Sequence, residues 1–251
     1  DPQHAFEILK PAYQTAYRLG LATSFLPKEY GGGGVSNVDL QIAAEELCAV
    51  DAGFACILRF NVLALKPVEW FGSEDQKRRF IGEACNDPTA SYLAGWTVSE
   101  PDGTASFDDP NAFPTGMRTT AVKRSDGHYV LNGSKLWPSS AAGWDMKGAN
   151  VNTCVVRTGK SVGGKAGLGV AMVPRGTPGL TFGPPLYKLG QRSNQNNAVH
   201  FDDVAIPPEN IFAEGNGDLV ISKAFTWSGP VAAIAAVGVA RAAYEFALQF
   251  S

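Results

Sequence analysis

The chain has 251 residues, a net charge of −3 and a hydrophobic fraction of 45%. This length and composition are typical of a globular protein with one or two domains and a well-buried core. The weakly acidic charge gives no electrostatic reason to expect binding to nucleic acid or to an anionic membrane surface.

Residues 1–89 are predicted to form a helical domain. Apolar residues recur with a helical period over 2–19, and a turn-rich segment at 27–34 interrupts the pattern. A helix capped at Ser36 or its neighbour follows, and Asp51 restarts a second, largely apolar helix that we expect to be buried. A capping box that begins at Ser73 predicts the last helix of this region.

Residues 90–214 are predicted to form a β domain, either a sandwich or a barrel. Two hairpin dipeptides, Asp126-Gly127 and Asn132-Gly133, would flank a short strand at 128–131. Further strands are predicted at 153–157, 169–173 and 198–201.

The pattern becomes helical again over 215–251, which predicts the first helix of a C-terminal helical domain. Pro230 lies inside this helix. A proline removes one helix hydrogen bond and clashes with the preceding turn, so a kink or a late helix start is expected there. Together the three regions predict an α+β fold. Because the chain starts at Asp1 without Met and stops at Ser251 inside a helical pattern, we expect it to be a fragment.

Cysteines and histidines form no recognisable metal or disulfide pattern. None of the four cysteines belongs to a CxxC pair, and the three histidines are scattered. Buried free thiols in a reducing compartment are therefore predicted, and no metal is expected. The longest apolar stretch, 231–240, is too short to cross a bilayer, so no membrane span is expected. No signal peptide is recognisable, which favours an intracellular location in the cytoplasm, a peroxisome or a mitochondrion.

Two short blocks, 96–104 and 133–140, carry most of the chemical information. Each sets a hydroxyl and backbone amides beside a tryptophan, Trp96 or Trp137, at the end of an apolar run. A flat aromatic cofactor needs a ring face to pack on and polar groups along its edge, so the pair of blocks predicts a bound flavin. The alternatives are a plain turn at 99–104, since Pro-Asp-Gly favours turns, and a core position for Trp137.

The whole chain resembles the acyl-CoA dehydrogenase superfamily of FAD enzymes. That resemblance implies an N-terminal helical domain, a central β domain, a C-terminal helical bundle, FAD as cofactor and a homotetramer. Four motifs carry it in the right order: Ser-Glu-Pro at 99–101, Gly-Ser-Lys-Leu-Trp-Pro-Ser at 133–139, Lys-Leu-Gly-Gln-Arg at 188–192 and Phe-Asp-Asp-Val-Ala-Ile-Pro at 201–207.

The resemblance also implies which residues contact the flavin. The Val98 backbone and Ser99 would face its pyrimidine edge, Trp137 would pack against the ring, and Ser139 would reach N5. Gly103 and Thr104 would approach the flavin or its pyrophosphate. The implied flavin-binding residues are Trp96, Val98, Ser99, Gly103, Thr104, Trp137 and Ser139.

In this family a carboxylate removes a proton next to an electron-withdrawing group, and electrons pass to flavin N5. The resemblance implies that the carboxylate lies beyond Ser251. Ser228 would support it through a hydrogen bond. The alternative for Ser228 is a small residue that eases helix packing beside Pro230.

Within the superfamily the motifs favour the nitroalkane oxidase branch. Typical acyl-CoA dehydrogenases differ at Gly103-Thr104-Ala105 and at Pro138. The first expectation is therefore a flavin-dependent oxidoreductase that acts on a nitroalkane. The alternatives are an acyl-CoA dehydrogenase that makes a 2,3-enoyl thioester, a reduced-flavin monooxygenase, and a non-catalytic flavin-binding fragment.

Overall fold

The computed structural model describes residues 1–101, 116–159 and 167–250, in which a group of helices precedes a β-sheet and a long helix follows it. This order confirms the predicted α+β class. The helices are α1 (Pro2–Glu7), α2 (Lys10–Arg18), α3 (Asn37–Phe71), α4 (Glu74–Gln76), α5 (Gly82–Cys85) and α6 (Gly217–Leu248), with a π-helical segment at Lys77–Ile81 and 3₁₀ turns at Lys28–Tyr30 and Pro208–Asn210.

Among the described residues, eight strands form one connected sheet in the order β6-β7-β3-β2-β4-β5-β8, with β1 added parallel to β4. The chain changes from helix to strand between Cys85 and Ala94, and back to helix between Phe212 and Gly217. The strands are β1 (Ala94–Thr97), β2 (Thr120–Lys123), β3 (Tyr129–Ser139), β4 (Val151–Arg157), β5 (Leu168–Pro174), β6 (Leu180–Phe182), β7 (Asn196–Ile206) and β8 (Ile211–Phe212).

Helix α3 consists of two helical segments joined at Asp51, as the sequence predicts. Its first segment starts with a capping box in which Ser36 and Asp39 each accept a hydrogen bond from the other's backbone N–H. Asp51 has a non-helical backbone, and its carboxylate accepts from the N–H groups of Gly53 and Phe54. The side chain therefore caps the second segment at the point where the helix is interrupted.

The capping box predicted at Ser73 is confirmed. Its hydroxyl accepts from the Gln76 N–H at 3.2 Å, and the Gln76 side chain accepts from the Ser73 N–H at 2.8 Å. The Gln76 amide also donates to the carbonyls of Glu209 and Ile211. The same residue thus starts a helix and ties it to the β region.

The hairpin predicted at Asn132-Gly133 is wrong, because β3 runs straight through these residues to Ser139. The pairing of β3 with β7 shifts between Leu131 and Gly133, which marks a β-bulge. Gly133 has a φ of 141°, and a Cβ at this position would lie 2.7 Å from the Thr119 Cα. The glycine is therefore required by a close backbone approach rather than by a turn.

The predicted late helix start at Pro230 is not found, since α6 begins at Gly217 and continues past the proline to Leu248. Helix α6 packs closely on α3. A Cβ on Gly238 would lie 2.3 Å from the Glu45 carbonyl oxygen, so only glycine allows this approach.

Helices α3 and α6 are both long and apolar enough to meet the length and hydropathy criteria of a membrane span. Buried core helices of soluble proteins also meet these criteria, and 56% of the tested α3 window is buried within the protein, against 17% for α6. The expectation that the chain has no membrane span stays a prediction.

A buried ion pair joins the segment after β1 to strand β3. The Lys135 side chain is fully buried and Glu100 is 3% exposed. Lys135 Nζ donates to Glu100 Oε1 at 2.8 Å and to the Val98 carbonyl at 3.0 Å. Glu100 also accepts from the backbone N–H groups of Arg118 and Thr119.

Burial lowers the pKa of Lys135, and the ion pair opposes that shift. For Glu100, burial acts to raise the pKa, but Lys135 and the backbone donors outweigh it and leave the pKa below its usual value. The carboxylate is therefore charged in the folded protein near neutral pH. The Lys135 ammonium supplies the counter-charge that stabilises it in the protein interior.

We expect Lys135→Met to lower the free energy of unfolding by about 3–5 kcal/mol, because the variant leaves a buried carboxylate without its counter-charge. Urea unfolding at pH 7 measures the loss. The loss should shrink as the pH falls towards about 4, where the carboxyl group can fold in its neutral form.

The matched control is Lys77→Met, since Lys77 pairs with the largely exposed Glu74. We expect that variant to lose much less stability than Lys135→Met, because solvent screens an exposed ion pair. An equal loss in the two variants would contradict a special role for the buried pair.

A candidate cofactor site at the ends of strands β1 and β3

The two sequence blocks meet in space, as their shared chemistry predicts. The Leu136 N–H donates to the Ser99 carbonyl at 2.8 Å, and the Lys135 ammonium donates to the Val98 carbonyl. The polar segment that follows β1 is therefore hydrogen-bonded to the middle of β3. This arrangement brings the candidate residues Val98 and Ser99 within one strand spacing of the block that holds Trp137.

Trp96 and Val98 are each 7% exposed and belong to the main core, while Ser99 is half-buried. The Trp96 indole Nε1 is buried and has no hydrogen-bond partner. A buried donor without an acceptor costs free energy, so this N–H marks a place where a bound acceptor would be stabilised.

Trp137 lies on the surface, with 57% of the residue exposed. The alternative that it is a core residue is therefore wrong. Its backbone has a φ of 64°, which is unusual for a bulky side chain, and it lies where the β3–β7 register shifts between Leu136 and Ser139. Its carbonyl oxygen accepts from Asn196 Nδ2 at 2.6 Å. The bulge turns the indole ring outwards and leaves a ring face open.

The Ser139 hydroxyl is buried between two asparagine side chains. Its Oγ lies 2.9 Å from Asn194 Nδ2 and 3.3 Å from Asn196 Nδ2. The orientation of the Asn196 amide follows from its other partners, because the Lys188 ammonium can only donate to its Oδ1 and the Trp137 carbonyl can only accept from its Nδ2. Asn196 therefore donates a hydrogen bond to Ser139 Oγ and does not accept one from the serine hydroxyl.

Lys188 is partly buried against this cluster. Its ammonium donates to the Asn194 carbonyl and to Asn196 Oδ1, and burial lowers its pKa. The sequence patterns gave no signal for Asn194 and Asn196, which no motif contained. Lys188 belonged to the Lys-Leu-Gly-Gln-Arg motif, but the motif did not indicate its partner.

The remaining candidates lie elsewhere. Gly103 and Thr104 lie outside the described residues, and so does most of the turn predicted around them. Ser228 lies on α6, half-buried, and lines an apolar pocket between α6 and α3. None of the residues that line this pocket belongs to the two blocks.

Comparisons with known proteins identify the relatives of the chain. Residues 1–87 match the family model of the acyl-CoA dehydrogenase N-terminal domain, and residues 96–204 match that of the middle domain. Cyclohexane-1-carbonyl-CoA dehydrogenase from Syntrophus aciditrophicus is 34% identical over 94% of this chain and 58% of its own length. The short-chain acyl-CoA dehydrogenase of Megasphaera elsdenii is 31% identical over 93% of this chain and 58% of its own length.

Solved structures give the same relationship. Nitroalkane oxidase crystallised with 1-nitrohexane superposes with a TM-score of 0.91 and 28% identity, over 100% of this chain and 61% of that one. Butyryl-CoA dehydrogenase from Megasphaera elsdenii superposes with a TM-score of 0.83 and 29% identity, over 96% of this chain and 60% of that one. The chain spans less than two thirds of the length of these relatives. With both domain models matched in order, the chain belongs to the acyl-CoA dehydrogenase superfamily and spans its N-terminal and middle domains.

Proposed function

We propose that the chain is the flavin-binding part of an FAD-dependent oxidoreductase. The observation that carries this proposal is the arrangement at the ends of β1 and β3, where an open Trp137 ring face lies beside a Ser139 hydroxyl with a hydrogen to donate. Relatives of the chain include an acyl-CoA dehydrogenase from Bacillus anthracis whose structure contains FAD. The proposal extends that cofactor to this chain.

The residues present fit a flavin. Its ring system has an apolar face, which the exposed Trp137 indole can cover, and a polar edge that needs hydrogen-bond partners. The buried Trp96 N–H, which lacks an acceptor, and the Ser139 hydroxyl are donors for such an edge. The packing of the sheet does not explain the exposed Trp137 ring or the buried Trp96 N–H that lacks an acceptor.

FAD, when bound, supplies the two-electron redox chemistry, and the protein supplies orientation and electrostatics. With FAD bound, Ser139 would donate its hydroxyl hydrogen to the ring nitrogen N5. Asn196 donates to Ser139 Oγ and to the Trp137 carbonyl. One amide therefore orients both the serine side chain and the tryptophan backbone. A donor placed in advance stabilises negative charge that develops on its acceptor and needs no reorganisation.

The carboxylate that takes the substrate proton is proposed to come from the part of the protein after Ser251. No carboxylate is among the described residues that line the pocket between α3 and α6, where Ser228 lies. Ser228 would donate a hydrogen bond to that carboxylate. An intracellular homotetramer remains part of the proposal, and it rests on the family resemblance alone.

For the substrate we propose a nitroalkane, with an acyl-CoA thioester as the second candidate. The TM-score of 0.91 to nitroalkane oxidase and the residue Pro138 in the second block support the first. The second is supported by sequence relatives that are acyl-CoA dehydrogenases, at 31% and 34% identity.

The substrate is tested by anaerobic bleaching of the flavin in the full-length protein. We expect 1-nitrohexane to bleach the absorbance of the bound FAD and butyryl-CoA to leave it unchanged. The first is a small molecule with an acidic carbon beside its nitro group, whereas the second is a thioester of the large CoA group. Bleaching by butyryl-CoA alone would replace the first candidate by the second. A protein purified without FAD that takes up none on addition would contradict the proposed function as a whole.

We expect Ser139→Ala to slow flavin reduction by about tenfold to a hundredfold, the value of one hydrogen bond to a developing charge. FAD should remain bound, because the Trp137 ring and the Trp96 N–H are unchanged. Stopped-flow absorbance under anaerobic conditions measures the rate. Ser134→Ala on the same strand, where the hydroxyl contacts His200, is the matched control and should keep the wild-type rate.

We expect Asn196→Leu to slow flavin reduction and to lower the reduction potential of the bound flavin, because Ser139 loses the donor that orients it. If Asn196 acts through Ser139, the double variant Ser139→Ala/Asn196→Leu should be no slower than Ser139→Ala alone. Stopped-flow rates and potentiometric titrations of the four proteins give this coupling. Additive effects would mean that the two residues act independently.

A further inference from the structure

Helices α3 and α6 enclose a mostly apolar pocket. Two polar side chains, Arg59 from α3 and Ser228 from α6, are among its described lining residues. A second apolar cavity beside it shares Arg59 and Leu40, so the arginine lies in a wall common to both cavities. The other lining residues of the first pocket are Phe60, Leu63, Trp227, Val231 and Ala232.

Arg59 has no acidic partner in the described part of the chain. Its Nε is buried without a hydrogen-bond partner, and its Nη1 has only the Cys48 sulfur, at 3.9 Å. The carboxylate of Asp51, on the same helix, accepts at Oδ1 from the N–H groups of Gly53 and Phe54 and from the Ser193 hydroxyl, and it forms no hydrogen bond or ion pair with Arg59 among the described residues. A partly buried guanidinium with unused donors costs free energy that an anion in the pocket would offset.

Two other cations at the α3–α6 interface, Lys66 and Arg241, have carboxylate partners. Lys66 contacts Glu69 at 2.7 Å and the Phe25 carbonyl at 2.8 Å. Arg241 contacts Glu45 at 3.2 Å and Glu46 at 2.9 Å. Arg59 differs from both in having no carboxylate partner in the described part of the chain.

We propose that Arg59 binds a planar oxyanion, a carboxylate or a nitronate, on a short and otherwise apolar molecule. The guanidinium presents parallel N–H donors whose spacing matches two oxygens on one carbon or nitrogen. The aliphatic and aromatic walls of the pocket accept an alkyl chain. The inference deepens the proposed function, on which it rests for the assignment of this pocket to the substrate.

Isothermal titration of the purified protein with hexanoate, with the nitronate of 1-nitrohexane and with 1-hexanol tests the site. We expect either anion to bind at least about tenfold more tightly than the alcohol, since a charge-assisted contact is worth that factor or more. Arg59→Gln should remove this difference and leave binding of the alcohol unchanged. Arg59→Lys keeps the positive charge but lacks the parallel N–H donors of the guanidinium group, so it should give an intermediate affinity for the anions.

Arg241→Gln is the matched control, because it makes the same charge change on the same helix pair outside the pocket and should keep the wild-type affinities. The proposal is overturned if neither anion binds measurably, if the anions bind no better than 1-hexanol, or if Arg59→Gln leaves anion affinity unchanged. The titration needs no flavin. A protein that binds no FAD but retains Arg59-dependent binding of the anion would contradict the proposed function and support this site.

Discussion

The arrangement of the candidate cofactor site depends on the buried ion pair between Lys135 and Glu100. A lysine with no exposed surface requires a counter-charge, and Glu100 is the acid that its ammonium contacts. The same ammonium also donates to the Val98 carbonyl, so it contacts the segment after β1 at two points. The separation of the two blocks that carry Ser99 and Trp137 is thereby set by an electrostatic requirement of the core.

The ion pair also explains why β3 needs a bulge. Along a regular strand, side chains alternate between faces, so Lys135, Trp137 and Ser139 would all point to one side. Lys135 and Ser139 are indeed buried, but Trp137 is mostly exposed, and the register shift between Leu136 and Ser139 accounts for the difference. The bulge lets one strand bury a charge and a hydroxyl while it presents an aromatic ring between them.

What could be predicted from the sequence was local. Ser36, Asp51 and Ser73 cap helices with contacts to residues two or three positions away, so their patterns are visible in the chain. The two cofactor blocks were recognisable because each is a short motif. Gly133 was misassigned to a hairpin because its role depends on Thr119, which approaches it only in the folded sheet. Asn196 reaches Ser139 through the pairing of β3 with β7, and Asn194 reaches it from the segment just before β7, neither of which a short pattern encodes.

Three partly or fully buried cations show how the degree of pairing separates structural from functional roles. Lys135 donates to a carboxylate and to a carbonyl that both belong to the fold. Lys188 has only neutral oxygens, so burial lowers its pKa and its charge polarises the amide that contacts Ser139. In the described part of the chain Arg59 has no oxygen acceptor, and an anion that entered the pocket would supply the acceptor that its buried Nε lacks. The less completely the protein satisfies a buried charge, the more of its interaction energy remains for a molecule that binds there.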